Sequence, residues 1–490
     1  MDYPRVESRA VERPSQTELS RIFDGLAQNH DGQSGFRLLI TGRDAFSTRM
    51  AMAAFAERTL DLQYYIWEHD TTGLLLLGAL VDAADRGVRV RMLLDDIYGS
   101  DERDLRLAAL DAHPNVEIRS FNPLARRTLR LLDFAIDGDR INYRMHNKTM
   151  IADNTIAIVG GRNIADEYFG LRASGNYRDL DVGCAGPVVG DISDSFDLFW
   201  NSRWALPTGA LLERPMTAEL RDLHDSVQYP YPIDEDVEET RQRLRNVRDD
   251  LVWAEAEVIY DLPDKVGQSS RAGAINSSLN EHLLENTHSE LLIEAAYFVP
   301  TRDGVDTART LVERGVTVRV LTNSLASNDV IAAHSGHTNH RKALVEAGAG
   351  VYELRPDPEI KPDWTGVSGR SKAALHTKAV VFDRESVFIG SYNLDPRSAY
   401  INTEVGVVID SPELAGRVAE FMDEGVGPAS AYRLAVEDPP RGHYRTQGRR
   451  LVLLAETNGE PKRYTVDPET TWWKRLVAGF IGILPIESQL

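Results

Sequence analysis

One eight-residue phrase occurs twice in this chain. His146-Asn147-Lys148-Thr149-Met150-Ile151-Ala152-Asp153 and His376-Thr377-Lys378-Ala379-Val380-Val381-Phe382-Asp383 both read H-x-K-x-x-x-x-D. Each is followed at matching spacing by a small-residue phrase ending in asparagine, Gly160-Gly161-Arg162-Asn163 and Gly390-Ser391-Tyr392-Asn393. One copy of such a pattern arises readily by chance; the second copy with the same trailing phrase does not. A repeat this regular demands two structurally equivalent halves.

The repetition extends outward from the motifs. Leu60–Trp67 and Leu291–Phe298 read as equivalent strands, each followed by a helical stretch ending in Arg-Gly-Val (Arg86-Gly87-Val88, Arg314-Gly315-Val316). The glycines suit the position just past a helix C-terminus, where positive φ is needed. Apolar strands at Val88–Leu94 and Val316–Leu321, another helix, and short strands at Val116–Arg119 and Val351–Leu354 complete each unit before its motif. Strand–helix–strand order of this kind predicts an α/β fold with a mostly parallel sheet flanked by helices.

The predicted segments are a polar, loosely attached extension over 1–35, halves over about 36–205 and 250–430, a linker or helical insertion over 206–249, and a tail over 431–490. Tyr229-Pro230-Tyr231-Pro232 and the acidic run 234–239 mark the linker. In the tail, the alternation over 432–463 reads as added strands, and Trp472–Pro485 is apolar with Lys474 and Arg475 adjacent. A short helix there suits either a membrane interface, tryptophans at headgroup level, or docking on the protein.

With 490 residues, 42% hydrophobic and 27% charged, the chain has ample core. Its single cysteine, Cys184, excludes an internal disulfide. The polar N-terminus shows no signal-peptide pattern, and no apolar run reaches the ~18 residues needed to cross a bilayer. A net charge of −20 argues against nonspecific nucleic-acid binding, so an anionic substrate needs a local basic site. Arg126, Arg127, Arg130, Arg140 and Arg144 supply one candidate; a solvated basic face is the alternative for the first three.

Paired histidines and lysines suit phosphodiester chemistry: one imidazole attacks phosphorus, the other protonates the leaving oxygen, and cations hold the phosphate. Residues i and i+2 of a strand share a face, so His146 projects with Lys148 and His376 with Lys378. Asp153 and Asp383 complete the catalytic signature, yet each precedes a turn-forming residue and is expected to hold a hairpin. Asn163 and Asn393 are expected to bind substrate or to cap the following helices. Gly161 and Ser391 are expected to let the backbone approach the ligand. A nucleophilic histidine needs a carboxylate to fix its tautomer, and Asp179 and Glu404 lie at comparable distances downstream, with Asp181 competing for the first role. No cofactor or metal is expected at the motifs, since H-x-K is a poor zinc pattern. His334, His337 and His340 have helical spacing suited to a metal, or to a helix lining the site entrance.

These motifs resemble the phospholipase D superfamily. Asp61–Trp67, Arg144–Lys148, Gly160–Gly170, Leu394–Tyr400 and Leu484–Glu487 are similar to phrases of bacterial cardiolipin synthases of the C type. The resemblance implies two pseudo-symmetric domains with the active site at their interface. It also implies a phosphatidyltransferase acting through a phosphohistidine, with phosphatidylethanolamine as donor and phosphatidylglycerol as acceptor. It assigns His146 as nucleophile and His376 as acid then base, with crossed support: Glu404 behind His146, Asp179 behind His376. Hydrolysis by water, nuclease-like cleavage and noncatalytic lipid binding are the competing functions. Peripheral contact with the cytoplasmic face of a bacterial inner membrane is implied; no protein partner is.

Overall fold

Each motif forms an antiparallel hairpin in a computed structural model, which describes residues 5–98, 101–124, 130–211, 237–268, 273–357, 372–438, 449–484 and 489, less 13, 15, 28, 29 and 31. In the first half, Thr59–Tyr64, Arg89–Asp95 and Val116–Phe121 pair in parallel, joined by helices Thr71–Asp85 and Asp101–Asp111. The hairpin Thr149–Ala152/Ile156–Gly160 adds antiparallel to the free edge of Thr59–Tyr64, followed outward by Asp181–Ala185 and Ser34–Leu39. The second half repeats this order. Glu290–Ala295, Thr317–Asn323 and Gly350–Leu354 run parallel, and Lys378–Phe382/Ser386–Gly390, Val405–Asp410 and Val252–Tyr260 follow antiparallel. Ser34–Leu39 then pairs with Val252–Tyr260 and joins the two sheets.

The sheets are therefore mixed rather than mostly parallel. The parallel part is three strands per half, because parallel neighbours need a helical crossover, whereas each motif strand reverses within a tight turn. Both turns place two successive residues at positive φ, Asp153 (51°) with Asn154 (48°) and Asp383 (55°) with Arg384 (57°), as in type I′ turns. Gly87 (φ 95°) and Gly315 (φ 90°) take the left-handed conformation that ends their helices.

A central apolar core unites the halves. Ala157, Val159 and Val182 of the first sheet share it with Ala379, Val381 and Ile389 of the second, together with helices Val188–Trp200 and Pro412–Gly425. The N-terminal extension is not loose. Helix Glu18–Ala27 carries Leu19, Ile22 and Phe23 at helical spacing and buries them in the first half's outer core, beside Leu244 and Val247 of helix Val237–Asp249. Further upstream, Ala10 N–H donates to Asp197 (2.7 Å) and the Arg5 guanidinium to Ser202 O (2.8 Å). Tyr229–Pro232, Arg126 and Arg127 lie outside the described residues.

Beyond Gly350–Leu354, strands Ala431–Glu437, Arg450–Thr457 and Glu460–Tyr464 extend the second sheet. Helix Trp472–Ile483 then rests on helix Ile331–Glu346. Among the described residues, no helix is long and apolar enough to cross a membrane.

Candidate active site

The two halves exchange hydrogen bonds directly ahead of their motif histidines. His146 N–H donates to Thr403 O (2.9 Å) and Thr403 N–H to Arg144 O (2.9 Å). Reciprocally, His376 N–H donates to Arg178 O (2.7 Å), and strand Lys372–Leu375 pairs in parallel with Gly175–Arg178. The backbone ahead of each histidine is thus fixed by the segment of the opposite half that carries a carboxylate.

Those carboxylates reach across. Glu404 lies 2.9 Å from His146 Nδ1, and Asp179 lies 2.6 Å from His376 Nδ1. The carbonyl of Ser391 also faces His146 Nδ1, at 3.1 Å. Both neighbours of that nitrogen are acceptors, so it carries the proton and leaves Nε2 with a free lone pair. Asp181, the competing residue, is held by Arg49 (2.9 Å) and Arg162 (3.3 Å) instead.

Lys148 and Lys378 each fold back to donate to the carbonyl of their own motif histidine at 2.5 Å. Tyrosines frame the imidazoles: Tyr65 packs 5.0 Å from His146, and Tyr168 and Tyr177 lie 4.9 and 5.2 Å from His376. Both motif histidines, both motif lysines and both carboxylates are buried. Burial, then Lys148, Lys378 and His376, push His146 well below the ordinary imidazole range. Burial and Lys378 hold His376 at about 4, against the pull of Asp179. The carboxylates differ. Burial raises Glu404 to about 7 despite Lys148, whereas for Asp179 the charge and hydrogen bond of His376 outweigh burial and hold it at about 2. Lys378 is lowered to about 8 by burial.

Several expected roles change on this geometry. Asp153 and Asp383 are not at the site. Asp153 accepts the backbone N–H groups of Glu57, Arg58 and Thr59, and Asp383 those of His288, Ser289 and Glu290. Each pins the start of its half's first parallel strand, at the far end of the hairpin from the histidine. Neither asparagine caps a helix, since Ala165 and Asp395 occupy those positions. Asn163 is committed to Ile66 N–H (3.1 Å) and Tyr168 OH (2.9 Å), while Asn393 keeps a buried, unpartnered Oδ1. Gly161 makes room for a carboxylate rather than a ligand: a Cβ there would lie 2.3 Å from Asp179 Oδ1. Ser391 likewise serves Glu404, donating its hydroxyl at 2.5 Å. Of the arginines, Arg144 is buried on Asp95 (3.2 Å) and Arg140 is held by Asp137, so neither faces the site as a free cation.

Sequence reasoning missed the groups behind Glu404. Ser398 donates to it at 2.9 Å, and Lys265 ties Asp261 (2.8 Å) to the carbonyls of Ser398 and Asn402. It also missed Asp329, an exposed carboxylate at the rim that accepts from Tyr297 (2.8 Å) and Tyr177 (3.2 Å) and whose charge is felt at Lys378. The helix of His334 and His337 starts beside the rim residue Asp329, but the two histidines themselves are buried in the interior. His334, Glu353 and Asp467 converge as cation donors would, but the Arg341 guanidinium already sits between the carboxylates, 2.8 Å from Glu353 and 2.7 Å from Asp467.

Comparison with known proteins agrees with this arrangement. The family model described as cardiolipin synthase, PLD-like domain, matches residues 50–182 and 281–425, one match for each motif-bearing half. Cardiolipin synthase C of Escherichia coli is 37% identical over 94% of this chain and 97% of its own length. The major cardiolipin synthase ClsA of Bacillus subtilis is 25% identical over 79% of this chain and 68% of its own. A phosphatidylserine synthase from Haemophilus influenzae shares the fold, with a TM-score of 0.57 at 14% identity over 84% of this chain and 90% of its own. The chain belongs to the cardiolipin synthase family of phospholipase D-like enzymes.

Proposed function

We propose that this enzyme makes cardiolipin in two steps at the paired histidines. The neutral His146 Nε2 attacks the phosphorus of a donor phospholipid. The bond from phosphorus to the headgroup oxygen breaks, and His376 protonates the departing alkoxide. The phosphatidyl group now sits on His146. The primary hydroxyl of phosphatidylglycerol then attacks phosphorus, His376 takes its proton, and the phosphorus–nitrogen bond breaks to release cardiolipin.

The observation that carries this reading is the crossed pairing of two histidines with buried carboxylates of the opposite half. Asp179, ionised at neutral pH, stabilises an imidazolium at His376 and suits it to an acid. Glu404, whose proton affinity burial raises, supports an imidazolium at His146 less than Asp179 does at His376 and leaves His146 a neutral nucleophile. A phosphate bound beside Lys148 and Lys378 neutralises the cations that depress His376, so substrate binding itself raises its proton affinity. The lysines and the proton on His376 supply the charge that the leaving oxygen and phosphate require.

Asp329 supports phosphatidylethanolamine as donor, since a carboxylate held by two tyrosine hydroxyls at the rim suits an ammonium headgroup. The name of the 37%-identical relative supports the product. Incubation with phosphatidylethanolamine and phosphatidylglycerol vesicles in the presence of a chelator, followed by lipid analysis, tests the proposal. Cardiolipin with released ethanolamine supports it. Phosphatidic acid alone makes the enzyme a hydrolase, and activity lost to the chelator contradicts a step driven by histidines and lysines alone.

A further inference from the structure

Helix Trp472–Ile483 uses its small residues to dock and leaves its large ones outside. The buried side holds Ala478, whose carbonyl accepts from Ser335 Oγ (2.9 Å), and Gly482, whose carbonyl accepts from Asn339 Nδ2 (3.1 Å). Trp472, Leu476, Phe480 and Ile483, spaced at four, four and three residues, form one outward stripe with Trp473 beside it. Trp472 is 66%, Phe480 62% and Ile483 83% exposed. Apolar side chains this large are seldom left out together on a surface without a partner.

The stripe stands at the rim of the active site. Lys474 donates to Asn328 O (3.3 Å), and the next residue, Asp329, holds Tyr177, whose ring packs on His376. The exposed Val330 continues the apolar rim. At the other end of the segment, Gln489 meets both halves, accepting from Asn142 of the first (2.7 Å) and Arg397 of the second (3.4 Å). Lys474 and Arg475 stand at the helix start, and Lys372 is near Lys474, whose protonation burial and then Lys372 disfavour against the pull of Asp329.

We infer that the Trp472–Ile483 face seats in the interfacial layer of a phospholipid bilayer and holds the active-site mouth against it. Tryptophans beside a lysine and an arginine match the headgroup level, and leucine, phenylalanine and isoleucine match the acyl boundary beneath. A second protein is a poorer occupant. The face runs about 18 Å along twelve residues, whereas a stable protein interface buries roughly 800 Å² on each partner. The inference rests on the proposed lipid chemistry, because it explains how an enzyme reaches a substrate that does not leave the bilayer.

The test uses the full chain and a Phe480→Glu/Ile483→Glu variant, both changes being at exposed positions. Binding is measured by co-sedimentation with phosphatidylethanolamine/phosphatidylglycerol vesicles, and turnover on those vesicles and on short-chain monomeric lipids. The variant is expected to lose vesicle binding by about 10-fold or more, with vesicle turnover falling in step and turnover of monomeric lipid staying within about 2-fold. Unchanged vesicle binding overturns the inference. So does a wild-type dimer in light scattering that the variant abolishes, since a second copy then covers the face. Loss of binding by the variant, with neither protein acting on any lipid, upholds this inference and sinks the proposed function instead.

Discussion

Asp179 of the first half hydrogen-bonds His376 of the second at 2.6 Å, although 197 residues separate them. Neither half holds a complete histidine–carboxylate pair of its own, so docking of the halves is what builds the candidate site. Asp179→Asn is expected to leave the fold intact and lower kcat by about 10³–10⁴-fold with little change in KM, as loss of a histidine-orienting carboxylate does elsewhere. Steady-state kinetics beside a thermal melt check this; a wild-type kcat removes Asp179 from the account.

Gly161→Ala alters no motif residue yet should reproduce part of that loss. The added methyl lies 2.3 Å from Asp179 Oδ1, so the carboxylate must move off His376. A fall in kcat of about 10–10³-fold is expected, since small displacements of catalytic groups are costly. A wild-type kcat with an unchanged melt would show that Asp179 can shift freely.

Asp153 and Asp383 predict the opposite pattern. Asp383→Ala strands three backbone donors at a partly exposed turn, costing about 1–3 kcal/mol in stability, and the surviving enzyme should keep kcat within about 3-fold. Asp153 is fully buried, so Asp153→Ala should cost more. Urea titrations give the stabilities. A large kcat loss in folded Asp383→Ala protein would return that aspartate to the catalytic set.

The buried histidines predict a pH-dependent stability. Burial holds His334 at about 4 against about 6.5 in the unfolded chain. Between those values the unfolded chain binds the proton and the folded chain does not, so stability is present above pH 6.5 and is lost as pH falls toward 4, by about 3 kcal/mol at most. His376 adds a term of the same sign. Glu404, raised in the folded state, has the opposite one: its contribution is full below about 4.5 and is lost as pH rises through about 7. Replacing His334, which lies outside the site, isolates one term. His334→Asn should flatten the decline of the urea midpoint between pH 6.5 and 5; an unchanged slope contradicts a neutral buried imidazole.

Asp329→Asn tests donor recognition. It should raise KM for phosphatidylethanolamine by about 10–100-fold, the worth of a hydrogen bond to a charged group, and spare turnover of a donor with an uncharged headgroup. Equal losses on both donors would give Asp329 a structural role through Tyr177 and Tyr297.

The doubled architecture was legible because each half repeats its strands, its Arg-Gly-Val helix end and its motif in order, and each of these has a local cause. The turn role of Asp153 was legible for the same reason, since an acidic residue before Asn154 in an apolar run signals reversal. The partners of His146 and His376 could be placed only by resemblance, because contacts across 258 and 197 residues leave no local pattern. Lys265 and Asp329 gave no signal: one sits in a short turn, the other in a loop, and only the tertiary fold brings them near Glu404 and Tyr177. The N-terminal extension was misread as loose because its overall polarity hides Leu19, Ile22 and Phe23, whose spacing becomes informative only once a core is there to receive them. The parallel sheet was overestimated because apolar strands look alike whichever way they pair.

The most direct test of the central claim is to identify the residue that carries the phosphatidyl group. Enzyme mixed with donor lipid and no acceptor, quenched within a turnover and analysed as peptides by mass spectrometry at neutral to basic pH, should show the adduct on His146. His146→Ala should show none, and His376→Ala should form it slowly. An adduct on His376 that survives in His146→Ala, or no adduct in any form of an active enzyme, would contradict the account.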